Sequence, residues 1–294
     1  MQKEAELTTS ARLDAARRTF ASALQGELIT PTDANYDEAR TIYNAMIDKR
    51  PLLIARCTHI NDVITAVNFA RTHHLELAVR GGGHNGAGLA LVNDGLVIDL
   101  SPMKDIQVNP EKRTVRVEGG CTWGEVDRAT HVHGLAVPSG IISTTGVAGL
   151  TLGGGHGYLS RRYGLTIDNL LAVEIVLANG RFITANAQEN SDLFWAVRGG
   201  GGNFGVVTAF LFQAHPVATV YGGPIIWPIT QAEEILRGYC DFIPDAPAGP
   251  FAPWGRRYWT WPDHYHFRHC KACSTRCTIH RAYNGIGKQT LSKS

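Results

Sequence analysis

Apolar residues recur along this chain in two periods, and the switch between them marks out its elements. Leu13, Ala16, Phe20 and Leu24 stand at helical spacing, which predicts a helix over residues 10–24 with one packing face. A loop at Thr32–Tyr36 leads to a second predicted helix from about Glu38 to Asp48, stopped by Lys49-Arg50-Pro51. Leu52–Arg56 is a short apolar run of strand type. From Asn61 to Arg71 the positions Val63, Ile64, Val67 and Ala70 return to helical spacing, with Asn61 or Asp62 as the cap. Leu75–Val79 reads as strand again. Strand, helix, strand is a βαβ unit, and such units bind ligands beyond the carboxyl ends of their strands.

Three further strands are predicted at Leu96–Leu100, Ile106–Val108 and Thr114–Gly120, and then a helix from Thr122 or Trp123 to Thr130, stopped by Gly134. Val173–Leu177 and Arg181–Thr184 flank Asn179-Gly180, a strong hairpin signal. A short helix over Asp192–Val197 precedes a strand that ends near Gln213.

Between these elements lie stretches poor in side chains. The first, Val79–Gly88, holds Gly81, Gly82, Gly83, Gly86 and Gly88 around His84. Such a loop lets backbone N–H groups converge on an anion. It lacks the G-x-G-x-x-G spacing of a dinucleotide fold and the G-K-[ST] ending of a P-loop, so a plain surface turn with an incidental histidine is the alternative at this point. The second, Val137–Asn169, contains three glycine clusters, which would cost a packed helix ~1 kcal/mol per interior Gly. They suit an extended ligand lying against backbone, with the hydroxyls of Ser139, Thr144 and Thr145 offering hydrogen bonds without bulk. The third, Arg198–Thr208, runs four consecutive glycines into a strand.

With 294 residues and 44% apolar content the chain can bury two ordinary cores. Met1–Leu7 shows no basic region followed by an apolar run, and no stretch of 18 apolar residues occurs, so a soluble, cytoplasmic protein without membrane partners is expected. Six unevenly placed cysteines do not make a disulfide framework. The net charge of +2 hides an asymmetry: residues 251–294 carry eight basic residues and one acid, and the remainder 20 basic and 25 acidic. The main body therefore lacks the charge excess of a nucleic-acid binder.

Four stretches, in order, resemble FAD-linked oxidases of the berberine-bridge-enzyme-like group, which carry a p-cresol methylhydroxylase (PCMH)-type FAD-binding domain. They are Arg80-Gly-Gly-Gly-His-Asn85, Thr144-Thr-Gly-Val-Ala-Gly-Leu-Thr-Leu-Gly-Gly-Gly155, Tyr163-Gly-Leu-Thr-Ile-Asp-Asn-Leu170 and Gly199-Gly-Gly-Gly-Asn-Phe-Gly-Val-Val-Thr208. The resemblance covers about residues 35–220. It implies an α+β fold in which two α/β subdomains, about 35–118 and 119–215, hold FAD extended between them. A helical extension over 1–34 would precede them, and the start of a substrate domain, 216–250, would follow.

By the same resemblance the cofactor contacts are Arg80, Gly81, Gly82, Gly83, His84, Asn85 and Gly88 around the diphosphate, then Ser139, Gly140, Thr144, Thr145, Gly146, Gly149, Gly153, Gly154 and Gly157, and finally Gly205, Val206 and Val207. In the family a histidine at the position of His84 commonly bonds to the flavin 8α-methyl carbon; a non-covalent hydrogen-bonding histidine is the alternative. Some relatives add a cysteinyl bond, but Thr144 stands at that position and the nearest upstream cysteine is Cys121, so at most one covalent link is expected. A small organic substrate of alcohol, sugar or alkaloid type would give a hydride to flavin, and dioxygen would be the acceptor, yielding hydrogen peroxide. The other reading is a flavin-binding module or pseudoenzyme without turnover. The family draws its base from the substrate domain, so no catalytic residue is assigned.

His156 reads as a loop histidine, and His131 and His133 as helix-end groups. Trp195 and Phe204 are expected in the core, and Asp168 and Asn169 order a turn either through backbone bonds or at the cofactor. Pro224–Pro228 and Ala232–Phe242 predict one strand and one helix. From Phe251 onward periodic patterning stops, while three of the six Trp and three of the six Cys crowd in. A non-native or disordered tail is expected. Zinc binding through Cys270, Cys273 and Cys277 with nearby histidines, or a basic interaction segment, are the other readings, and no metal site is assigned.

Overall fold

A computed structural model describes residues 15–217 and 226–245, and the backbone of 260–261 and 265–266. The chain divides into two compact units, Met1–Ala218 and Thr219–Ser294.

The first unit opens with helix α1 (15–23), which lays Phe20 flat on Phe69 with ring centroids 4.2 Å apart. Leu13, part of the expected packing face, lies outside the described residues. Strand β1 (Glu27–Ile29), the short helix α2 (Tyr36–Ala39), β2 (Leu53–Arg56), α3 (Ile60–His73), β3 (Leu77–Arg80) and β4 (Leu96–Asp99) follow. They build a four-stranded sheet in the order β1-β2-β4-β3. β2 and β3 both run parallel to β4, while β1 is antiparallel to β2. Leu53, Ile54, Leu96, Val97 and Ile98 are fully buried, as near-continuous apolar strands of a parallel sheet must be. Each such side chain contributes about 1.5–3 kcal/mol on removal from water.

The second sheet is antiparallel throughout. It uses β5 (Ile106–Asn109), β6 (Thr114–Glu118), β8 (Leu170–Val176), β9 (Phe182–Asn186) and β10 (Val206–Gln213), in the order β5-β6-β10-β8-β9. Between β6 and β8 come α4 (Trp123–His131), the two-residue β7 (Leu135–Ala136), α5 (Val147–Leu152) and α6 (Ser160–Tyr163); α7 (Ser191–Gly200) precedes β10, and β11 (His215–Pro216) pairs with β7. Trp123, Phe210 and Phe212 are the largest side chains sealed in this core. Asn179-Gly180 does turn β8 into β9.

Several expectations shift. The sheets divide between Asp99 and Ile106 rather than at 118, because β6 pairs with β10 and β5 pairs with β6. The N-terminal segment is more than a helical extension, since β1 joins the first sheet. The helix expected over 38–48 ends at Ala39. Beyond it Thr41 Oγ1 bonds Glu38 O, Asn44 Oδ1 accepts the Met46 N–H, and the Tyr43 N–H goes to Gly83 O, so local side chains and a distant loop take the groups a helix needs.

His59, not Asn61 or Asp62, caps α3; Asp62 stands at its third position and turns back to the amides of Thr58 and His59. Trp195 is 74% exposed, because Phe194 and Val197 form the buried face of α7, and Phe204, beyond the end of that helix, is 39% exposed.

In the second unit α8 (Ala232–Phe242) forms as patterned. Residues 226–228 carry no strand, and 224–225 lie outside the described residues. Backbone pairing joins β12 (Thr260–Trp261) to β13 (Tyr265–His266). Cys270, Cys273 and Cys277 lie outside the described residues. Among the described residues no group of three or more His, Cys, Asp or Glu is placed to hold a metal ion, and no helix is long and apolar enough to cross a membrane.

Candidate functional site

The glycine loop leaves β3 at its carboxyl end, and a buried charge fixes its first residue. Register sets Arg80 on β3 and Arg56 on β2 both opposite Asp99 of β4. Asp99 is fully buried and accepts from Arg80 Nη2 at 2.6 Å and from the Ser101 amide at 3.0 Å, while Arg56 Nε lies 3.6 Å away. Arg80 Nη1 donates to the carbonyls of Ala39 and Thr41. The Arg80 side chain is thus committed to holding the loop rather than to reaching a ligand. Asp99 in the apolar run Leu96–Leu100 carried a signal that was missed, because a carboxylate in a buried strand needs a cationic partner.

From Gly81 the loop meets the second half of the unit backbone to backbone. A Cβ on Gly82 would fall 2.4 Å from the Gly146 nitrogen, and one on Gly146 equally close to the Gly82 nitrogen. A Cβ on Gly81 would come within 2.9 Å of Gly119 O, and one on Gly119 within 2.9 Å of Val207 O. One seam therefore joins the 81–83 loop, the Gly146 turn and the start of β10, where Val206 and Val207 are buried.

Among the described residues nothing accepts a hydrogen bond from the amides of Gly82, Gly83, His84 or Asn85. Gly83 is left-handed at φ 68°, the backbone conformation from which anion-binding concavities of successive N–H groups are built. Gly81–His84 are half-buried. His84 stacks on Tyr43 with ring centroids 4.3 Å apart and planes 17° apart.

The rest of the loop is self-fastened. Asn85 O and Oδ1 accept from the amides of Gly88 and Leu89, and Lys49 Nζ donates to the carbonyls of Gly88 and Leu91. Gly88 is left-handed and packs under Ile47.

A second cluster forms apart from this one. A Cβ on Gly157 would lie 1.6 Å from Ser139 O, and one on Gly140 2.5 Å from Leu150 Cδ1. Gly154 and Gly155 accept through their carbonyls from the amides of Ile167 and Thr166. The Asp168 carboxylate accepts the Leu165 amide, and Asn169 Nδ2 donates to the carbonyls of Tyr163 and Leu165, so both residues serve the backbone of that turn. Asn169 Oδ1 meets His215 Nε2 at 2.6 Å, and His215 stacks on Tyr163 at 3.9 Å. Burial, with Arg162 nearby, lowers the imidazole pKa of His215.

Thr144 and Gly153 are exposed, as is Gly149, which has open space where a Cβ would stand. The hydroxyls of Thr144 and Thr145 have no partner among the described residues, while Ser139 Oγ is 3.5 Å from Gly140 O. Cys121 is fully buried, and burial with Glu125 nearby pushes its thiol up to about 12. His156 is exposed.

Two sheets joined along a seam of close backbone contacts, with a row of free amides from Gly82 to Asn85 that includes a histidine, define a domain that holds an extended anionic cofactor, and the FAD binding domain family matches residues 51–186. Through this domain the chain is similar to the FAD-linked oxidoreductases, and its α+β fold is of the PCMH type.

It is 40% identical over 226 residues to the FAD-linked oxidoreductase YgaK of Bacillus subtilis (strain 168), covering 75% of this chain and 50% of YgaK. It superposes on 6-hydroxy-D-nicotine oxidase from Arthrobacter nicotinovorans with a TM-score of 0.65 at 40% identity, covering 66% of this chain and 43% of that one. For BBE-like 1 of Physcomitrella patens the TM-score is 0.65 at 35% identity, with 68% and 44% covered. The chain spans about half the length of the relatives it matches.

Proposed function

We propose that the chain holds FAD covalently through His84 and serves as the flavin half of an oxidase. The observation that carries this is the run of free amides from Gly82 to Asn85, set on the Gly82–Gly146 contact and carrying the imidazole of His84 within it. When bound, the flavin supplies the electron sink, taking a hydride equivalent from a reduced alcohol, sugar or alkaloid-type substrate and delivering it to dioxygen as hydrogen peroxide.

The residues of this chain do the holding. The 82–85 amides receive the diphosphate, the 144–146 turn closes on it, and the hydroxyls of Ser139, Thr144 and Thr145 meet the polar groups of the extended chain. Gly140, Gly149, Gly153, Gly154 and Gly157 keep that path clear of side chains, and Gly205–Val207 floor the seam. Arg80, Asn85 and Gly88 shape the loop. The neutral imidazole of His84 would form the N–C bond to the 8α carbon as that methyl gives up a C–H proton, the two electrons left behind passing into the flavin ring and from there to dioxygen, which with two protons becomes hydrogen peroxide. A second, cysteinyl link is not part of the proposal, because Cys121 is buried and its thiol is held protonated.

The test is the visible spectrum before and after acid precipitation. Flavin kept in the washed pellet of the wild type, and absent from the pellet of His84→Ala, is expected; flavin released from the wild type into the supernatant overturns the covalent link. Because the chain spans half of its relatives, a flavin-binding module without turnover is the second reading. Peroxide release over a panel of alcohols, sugars and amines separates the two.

A further inference from the structure

A helix is expected over 38–48, but beyond Ala39 the actual course of the segment puts an aromatic ring on the histidine of the glycine loop. Tyr43 is 72% exposed, so core packing does not account for it. Its ring lies against the His84 imidazole at 4.3 Å and 17°, and its own N–H donates to Gly83 O at 3.1 Å, one residue before that imidazole.

The segment is fastened on both sides of Tyr43. Thr41 O receives Arg80 Nη1, which the buried Asp99 anchors, and Asn44 Nδ2 donates to Gly86 O at 2.8 Å. Ile42 packs over Gly83, with Cγ2 3.6 Å from where a Cβ would stand. Tyr43 is therefore held where it is independently of its ring, and the ring is free to act on His84.

We propose that Tyr43 is the positioning residue for His84: it covers one face of the imidazole and fixes the ring plane, so that the nitrogen edge and the opposite face are left for the flavin. This rests on the reading of His84 as the flavin anchor. A reacting group confined to one orientation before its partner arrives reacts faster than one that rotates freely, and rigid support of that kind is what a stacked neighbour provides.

The experiment uses the full chain with isotope-labelled histidine, the His84 ring resonance being identified by its loss in His84→Ala. An upfield ring-current shift is expected in the wild type, kept in Tyr43→Phe and lost in Tyr43→Ala. In parallel, flavin-free protein is mixed with FAD, and acid-stable flavin is followed with time. Tyr43→Ala should bind as much total flavin but attach it about tenfold or more slowly, while Tyr43→Phe tracks the wild type.

Attachment by Tyr43→Ala at the wild-type rate overturns the proposal, and so does loss of total flavin binding, which would make the residue merely structural. If the wild type releases all its flavin in acid, the covalent reading of His84 fails. The ring-current comparison then decides by itself whether Tyr43 orders the imidazole.

Discussion

The glycines at 81–83 and those at 199–202 look alike as strings of letters and stand in opposite surroundings. Around Gly82 there is no room: the Gly146 backbone nitrogen occupies the space within 2.4 Å of a Cβ. Around Gly199, Gly201 and Gly202 a Cβ would meet nothing within 4 Å. Gly199 and Gly201 instead hold φ values of 107° and 65°, where α7 breaks and a turn leads into β10. In the first cluster Gly81 and Gly82 are required by contact between chain segments, and Gly83 by its φ of 68°. The second is required by backbone conformation at Gly199 and Gly201, by the Phe204 ring 2.6 Å from a Cβ at Gly200, and by nothing visible at Gly202.

That contrast is broken or upheld most directly at Gly82. Gly82→Ala must push the 81–83 loop off the Gly146 turn, which should cost about 3 kcal/mol or more and abolish flavin retention. An unchanged denaturation midpoint with full flavin content would show that the seam is not close-packed.

A smaller effect is expected in the second cluster, and it should split. Gly199→Ala places a side chain at φ 107° and should lose about 1–3 kcal/mol. Gly202→Ala should stay within about 0.5 kcal/mol. Equal losses in urea denaturation at the two positions would mean that conformation is not what distinguishes them.

The smallest effect sharpens the comparison at the Tyr163–Asn169 turn, where the chain relies on a side-chain clasp. The His215 pKa is lowered by burial and by Arg162, from an ordinary 6.5. Unfolded chain then binds the proton more readily than folded chain, so the stability His215 contributes is present above pH 6.5 and is lost as the pH falls through the folded value. The wild type should melt lower at about pH 5.5 than at about pH 7.5, and His215→Asn should show a shallower decline over that interval. A parallel decline in both would assign the pH dependence elsewhere.

Most of the regular elements were legible in the order of residues. The patterns for α3, α4, β6, the β8–β9 hairpin and β10 rest on local periodicity and turn chemistry, which neighbours in sequence carry by themselves. The segment after Ala39 was misread because its hydrogen-bond partners are about forty positions away along the chain: the Tyr43 N–H meets Gly83 O, and Arg80 reaches Ala39 and Thr41. Trp195 was misplaced because helical spacing leaves it open which face of a short helix turns inward.

The residue order alone determined most of the elements, the glycine loops and the resemblance to FAD-linked oxidases, since each of these is written in short runs. Only the tertiary structure decided that Arg80 serves Asp99, that Gly82 meets Gly146, and that Tyr43 lies on His84. Strand register and loop packing bring those partners together, and neither is fixed by residues adjacent in the chain.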